Sequence, residues 1–166
     1  DSFWTLAEQW NIGVDSLLLL NEGVNPNRLQ IGSSIFLPSR VVYPLVNGKQ
    51  PYSSETFEED VKKLKEVYPF IKLNSVGESV LGKDLIEMRV GTGKKKVHID
   101  ASFHANEWIT TSILMTFIND YLLSLTNGNL MRGIQTLPLY DVVTISFVPM
   151  VNPDGVDLVL NGPPKD

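Results

Sequence analysis

Cysteine is absent from this chain of 166 residues, and histidine occurs only twice. Disulfides and thiolate metal sites are therefore excluded, although the lack of cysteine by itself assigns no compartment. Positive charge is also scarce: 14 Lys and Arg against 19 Asp and Glu leave a net charge of -5. No basic patch exists to neutralise phosphates, which argues against nucleic acid as a partner. Lys94-Lys95-Lys96 is the one basic run, and its place behind Gly91-Thr92-Gly93 predicts a solvated turn. Long apolar runs are missing too, so neither a membrane span nor a signal peptide is expected in this stretch, although the start inside a motif leaves a leader upstream open. The remaining composition, 43% apolar and 20% charged, is ordinary for a soluble globular protein of one domain or two small ones.

The stretch around which the chain is organised runs from Val97 to Trp108. Its first half sets Val97, Ile99 and Phe103 among small residues, as a strand does. It then stops at His104, with Glu107 three residues on. Where a strand gives way to a loop or helix start, that separation can turn both side chains toward one point. Imidazole nitrogen and carboxylate oxygen are both good zinc donors, and a catalytic zinc takes three protein ligands while leaving a position for water. His-x-x-Glu alone is a weak pattern, satisfied equally by a surface histidine beside a solvated glutamate.

The flanks add specificity. Upstream lies Val76-Gly77-Glu78-Ser79-Val80-Leu81-Gly82-Lys83, continuing through Asp84 to Gly91; downstream lies Phe147-Val148-Pro149-Met150-Val151-Asn152-Pro153-Asp154-Gly155. With the His104 stretch between them, these motifs resemble the zinc carboxypeptidase family in order and spacing, from about Tyr52 to the last residue. The first looks like the family's Gly-x-Ser-x-x-Gly-[Arg/Lys] hairpin and the second like its Pro-x-x-Asn-Pro-Asp-Gly. The resemblance implies that His104 and Glu107 are the first two ligands of a Zn2+ cofactor. It also implies a third ligand His, a general-base Glu and substrate-binding arginines, none of which has a match here, so the general base is expected beyond Asp166. His98 stands six residues before His104 in the same predicted strand, roughly 20 Å away in an ideal one, too far to share a metal. It reads as a packed strand histidine. Asn106 occupies a position where many family members carry an arginine, which weighs against ordinary carboxypeptidase specificity.

Residues 1–38 read as a unit of their own. Asp1 or Ser2 can cap a helix whose Phe3, Leu6, Ala7 and Trp10 share one face, and Asp15 can cap a second, Ser16 to Asn21. Gly23 and Asn25-Pro26 form a turn, and Ser34-Ile35-Phe36-Leu37 reads as a short strand ended by Pro38. This order resembles the lysin motif (LysM), a small α+β module that binds N-acetylglucosamine chains; its opening strand has no match here. By that resemblance the glycan groove lies between Asp1-Ser2-Phe3 and the loop carrying Asn25, Pro26, Leu29 and Ile31. The plainer reading is a helical cap on the next domain.

Val41 to Pro51 reads as a linker. Ser53 or Ser54 then caps a helix to about Val67, with Phe57, Val61, Leu64 and Val67 as its buried stripe. Strands are expected at 71–76, 85–90 and 97–103, a helix at 108–125 with Ile109, Ser112, Ile113, Thr116, Phe117, Tyr121 and Leu122 inward, and a strand at 142–148 covered on both faces. A loop is expected through Pro138, and the tail from Asn161 has loop chemistry. The expected architecture is α/β: an incomplete, mixed-sheet zinc-carboxypeptidase-like domain over 52–166, a linker over 41–51 and a LysM module over 1–40. A glycan-binding module joined to a zinc peptidase implies peptidoglycan glycan and stem peptide as partners, in the bacterial cell envelope, a secreted setting or a sporulating-cell compartment. The combination resembles bacterial γ-D-glutamyl-L-diamino acid endopeptidases. A wall-binding protein with an inactive peptidase domain, and a zinc carboxypeptidase acting on ordinary peptides, are the alternatives.

Overall fold

The computed structural model describes residues 1–10, 12–37 and 41–163. Two helices open the chain, α1 (Phe3–Trp10) and α2 (Val14–Leu20). The Ser2 hydroxyl accepts the Thr5 N–H at 3.3 Å, so Ser2 is the cap of α1. Asp15 does not cap α2; Gly13 holds that position and Asp15 falls in the first turn, where its charge still meets the positive end of the helix. Phe3, Ala7 and Leu17 form a small core, with Leu29 and Ile35 packed on it, whereas Trp10 is exposed. The expected strand at 34–37 does not form among the described residues. A strand needs a partner's hydrogen bonds, and the described residues of the unit supply none. Instead the Asn21 side chain serves Phe36, accepting its N–H at 2.8 Å and donating to its carbonyl at 2.9 Å.

The larger unit begins with α3 (Ser54–Val67), capped by Ser53, and buries Phe57, Val61 and Leu64 on one stripe as their spacing predicts. Then follow β1 (Lys72–Glu78), β2 (Asp84–Val90), β3 (Lys95–Asp100), α4 (Trp108–Asn127), the short pair β4 (Leu130–Met131) and β5 (Ile134–Gln135), α5 (Thr136–Val142), β6 (Val143–Val148) and α6 (Pro153–Asn161). The main sheet has the order β1-β2-β6-β3, with β3 and β6 parallel and the other neighbours antiparallel. Lys95 and Lys96 belong to β3 and not to a turn; the Lys96 ammonium reaches the Gly93 carbonyl and the Thr144 hydroxyl, both at 3.0 Å.

Helix α4 supplies a large share of the main core. Met115, Ile118, Leu122 and Leu125 are fully buried in it, each stabilising the fold by about 1.5–3 kcal/mol. Its inward face is rotated from the expected one. Ser112, Tyr121 and Leu122 are buried as read, but Ile109 and Ile113 are exposed and Phe117 is 38% exposed. An all-round apolar helix carries little periodic contrast, so the sequence does not fix its rotation. Gly128, left-handed at φ 65°, ends it. Helices α5 and α6 were not expected. Pro138 sits within the first turn of α5, where the missing N–H costs nothing. Strand β6 is buried throughout except at Ser146, as its apolar run predicts.

The N-terminal unit packs directly on the larger one. Leu19 of α2 joins the main core, the Ser16 hydroxyl donates to the Thr126 carbonyl, and the Tyr140 hydroxyl donates to Glu22 at 3.0 Å.

Candidate metal centre

Strands β3 and β6 run parallel and end together, so the residues that follow each meet at one edge of the sheet, where open α/β sheets place their sites. The ladder continues past both strands: Ala101 donates to Val148, Val151 to Ala101 and Asn152 to Ser102, at 3.1–3.2 Å. Here the chain leaves the sheet. Ser102 adopts φ 49°, a left-handed conformation that costs a non-glycine residue roughly 1–2 kcal/mol. His104 comes next but one, followed by a single 3-10 turn, Ala105–Glu107, that leads straight into α4.

That turn puts His104 and Glu107 together, as the sequence predicts. His104 Nδ1 lies 3.1 Å from Glu107 Oε2, and the side chains are 72% and 47% exposed. Two donors each about 2.1 Å from a tetrahedral zinc stand roughly 3.4 Å apart, so this spacing and donor chemistry suit the ion. Among the described residues no group of three or more His, Cys, Asp or Glu could hold a metal. The described residues thus bring two candidate donors together on an open face. Asn106, between them, is exposed.

What holds the turn was not legible as function in the sequence. Thr110 donates to the Glu107 carbonyl at 2.8 Å and accepts the Ser102 N–H at 2.8 Å. Ser102, only 1% exposed, shares a hydrogen bond with Thr111 at 2.6 Å, and Thr111 donates to the Pro149 carbonyl at 2.5 Å. On the other side, Asn152 caps α6 by accepting the Gly155 N–H at 2.9 Å. Asp154 accepts the Leu81 N–H at 2.9 Å, tying in the tip of the β1–β2 hairpin. Lys83 of the same hairpin pairs with Asp157, which also accepts from the Ser54 hydroxyl at 2.5 Å and the Ser54 N–H at 2.8 Å. Burial would raise the Asp157 pKa, but the hydrogen bonds from Lys83 and Ser54 outweigh it and hold the carboxyl below its usual range. All three motifs therefore converge on one corner of the fold.

His98 is not packed. Its side chain is 56% exposed and belongs to a polar ladder across the sheet, with Nδ1 3.0 Å from the Ser146 hydroxyl and Nε2 3.5 Å from Asp100. Ser146 in turn donates to buried Glu87 at 2.5 Å. Strand β3 is exposed along its length except at half-buried Ile99, which the reading of a packed strand histidine did not anticipate.

In the N-terminal unit the two segments singled out for glycan do meet. Phe3 N–H donates to the Pro26 carbonyl at 2.8 Å and Leu29 N–H to the Asp1 carbonyl at 3.3 Å. The Phe3 side chain is fully buried in the unit's own core, whereas Ile31 is fully exposed. Asp1 and Asn25 are exposed, and Ser2, Pro26 and Leu29 are half-buried.

Comparison with known proteins gives two family matches: the zinc carboxypeptidase model over residues 57–164 and the LysM domain model over residues 1–38. A γ-D-glutamyl-L-diamino acid endopeptidase 1 of Lysinibacillus sphaericus is 51% identical, covering 100% of this chain and 54% of its own. The Bacillus subtilis protein YqgT is 45% identical over 67% of this chain and 30% of its own. The chain thus spans about half or less of the length of these relatives. Bovine thrombin-activatable fibrinolysis inhibitor, solved with a tick carboxypeptidase inhibitor, shares the fold at a TM-score of 0.58 and 23% identity, over 69% of this chain and 35% of that one. No helix among the described residues is long and apolar enough to cross a membrane.

Proposed function

Because the chain belongs to the zinc carboxypeptidase family and carries a LysM match ahead of the peptidase part, we propose that it works as part of a zinc metallopeptidase that hydrolyses peptidoglycan stem peptides at the γ-D-glutamyl-diamino acid bond. The supporting observation is the likeness over the whole of this chain, at 51% identity, to a relative named for that bond. The units are assigned as 1–40 for glycan binding, 41–51 as linker and 52–166 for the peptidase, with the third ligand and general base outside these residues.

His104 and Glu107 would hold the zinc. The bound ion would supply Lewis-acid polarisation of the scissile carbonyl and activation of a water. The chain's own contribution is positional: the 3-10 turn holds imidazole and carboxylate at the spacing observed, on a face open to substrate. Stem peptide hangs from glycan, so a glycan-binding surface beside the peptidase raises its local concentration. That surface is assigned to Asp1, Ser2, Phe3, Asn25, Pro26, Leu29 and Ile31. Phe3 serves there from within, because the whole residue is buried: its N–H ties the two groove segments together through the Pro26 carbonyl, and Ile31 offers apolar contact. A substrate of this kind puts the protein in the bacterial cell envelope, outside the cell, or in a sporulating-cell compartment.

The test uses the full-length protein, wild type and His104→Ala, on soluble muropeptides containing the γ-D-glutamyl-diamino acid bond and on ordinary peptides with free C-termini. The reading expects one zinc per chain, cleavage of muropeptides, and loss of both in the variant. Trimming of ordinary peptides with muropeptides untouched would make the protein a conventional carboxypeptidase. Wall binding with neither substrate cut would make it a binding protein, and stoichiometric zinc in His104→Ala would sink the ligand assignment.

A further inference from the structure

We propose that Ser102 is a positioning residue for the His104–Glu107 pair, acting through a hydroxyl cluster with Thr110 and Thr111; this rests on the metal-site reading above. Every polar atom of Ser102 is engaged although the residue is 1% exposed. Its N–H donates to Thr110 Oγ1 at 2.8 Å and its carbonyl accepts the Asn152 N–H at 3.1 Å. Thr111 spends its own proton on the Pro149 carbonyl, so at 2.6 Å it accepts from Ser102. The Ser102 hydroxyl also lies 3.1 Å from the Glu107 carbonyl, which takes the Thr110 proton as well.

Three segments therefore meet at one residue: the chain leaving β3, the first turn of α4 through the Ser102 hydroxyl and N–H, and the loop after β6 through its carbonyl. The left-handed φ of 49° gives the direction in which the chain leaves the sheet, and His104 is two residues further on. Serine is not the residue a left-handed position favours. Glycine would adopt it freely, yet glycine could not supply the hydroxyl. A buried, non-glycine, left-handed residue just ahead of the His104–Glu107 turn, with its hydroxyl set against the end of that turn and the start of α4, has the character of strain kept at a functional site. Groups that orient metal ligands from behind typically change affinity or activity by roughly 10–100-fold when removed.

The experiment measures zinc affinity of the full-length protein by chelator competition, with the visible spectrum of the cobalt-substituted form as the geometric readout. The variants are Ser102→Gly, Ser102→Ala and Thr110→Val, with His104→Ala as control. Ser102→Gly keeps the turn without the hydroxyl and is expected to fold at close to the wild-type melting temperature. Its zinc affinity should fall roughly 10–100-fold, with an altered cobalt spectrum, and Thr110→Val should do the same. Wild-type affinity and spectrum in Ser102→Gly overturn the proposal, as does loss confined to Ser102→Ala, which would leave only backbone strain at issue. If His104→Ala itself keeps its zinc, the metal-site reading has failed; if it loses zinc while Ser102→Gly does not, the positioning role alone has.

Discussion

Glycine at position 155 is required by space, and Gly155→Ala should destabilise the protein although it puts a better helix former into a helix. Gly155 lies inside α6, so no unusual φ calls for glycine. A Cβ added there would stand 2.8 Å from the Cβ of Ala105 and 2.6 Å from Nδ2 of Asn152, far inside the ~3.5–4.0 Å of a favourable carbon contact. Ala105 begins the 3-10 turn that carries Glu107, and Asn152 caps α6. Neither obstacle is the far end of a flexible chain. Forcing extra volume into such a contact costs about 1–3 kcal/mol, and displacing the Asn152 cap costs about 1 more. Against this stands about 1 kcal/mol of helix propensity for alanine over glycine. The balance is a loss of about 1–3 kcal/mol. For a domain of this size, 2 kcal/mol lowers the melting temperature by roughly 4–8 °C. Thermal unfolding of wild type, Gly155→Ala, Ala105→Gly and the double variant would measure it. Removing the Ala105 methyl should restore part of the loss, with a coupling of about 0.5 kcal/mol or more. A Gly155→Ala protein as stable as wild type would refute the close approach of α6 to the turn between His104 and Glu107.

Two further outcomes follow from the same corner and from the N-terminal unit. Asp157 has a lowered pKa, so its contribution to stability is fully present above the unfolded value of about 3.9 and is lost as pH falls through the lower folded value. Asp157→Asn should therefore cost roughly 1–2 kcal/mol near pH 6 and show a shallower loss of stability as pH falls below the usual carboxylate range in urea unfolding; parallel acid curves for the two proteins would contradict this. Glu87, also lowered despite its burial because of Arg89, Ser146 and Asn74, keeps part of the slope in both. Deleting residues 1–40 is a poor test of glycan binding, because it removes Leu19 from the main core; Ile31→Glu, at a fully exposed position, should weaken pulldown on purified peptidoglycan while leaving the melting temperature and soluble muropeptide cleavage unchanged. Unchanged pulldown would remove Ile31 from the glycan surface.

The sequence alone determined whatever rests on short-range chemistry. The stripe of Phe57, Val61 and Leu64, the stop at Gly128, the buried run of β6 and the pairing of His104 with Glu107 three residues on are all local, and all stand in the fold. Asn152-Pro153 was equally local as a helix cap followed by a first-turn proline, and α6 could have been read from it. Tertiary structure decided the rest. Which face of α4 turns inward depends on what packs against a helix apolar all round. Whether Ser34–Leu37 becomes a strand depends on a partner that the described residues do not provide. No periodicity announces that Ser102 sits left-handed under two threonine hydroxyls, because a side chain of that kind takes such a backbone only when neighbours from α4 and the loop after β6 hold it there. The candidate ligands were visible as residue types; the frame that holds them came from segments brought together by the parallel pairing of β3 with β6.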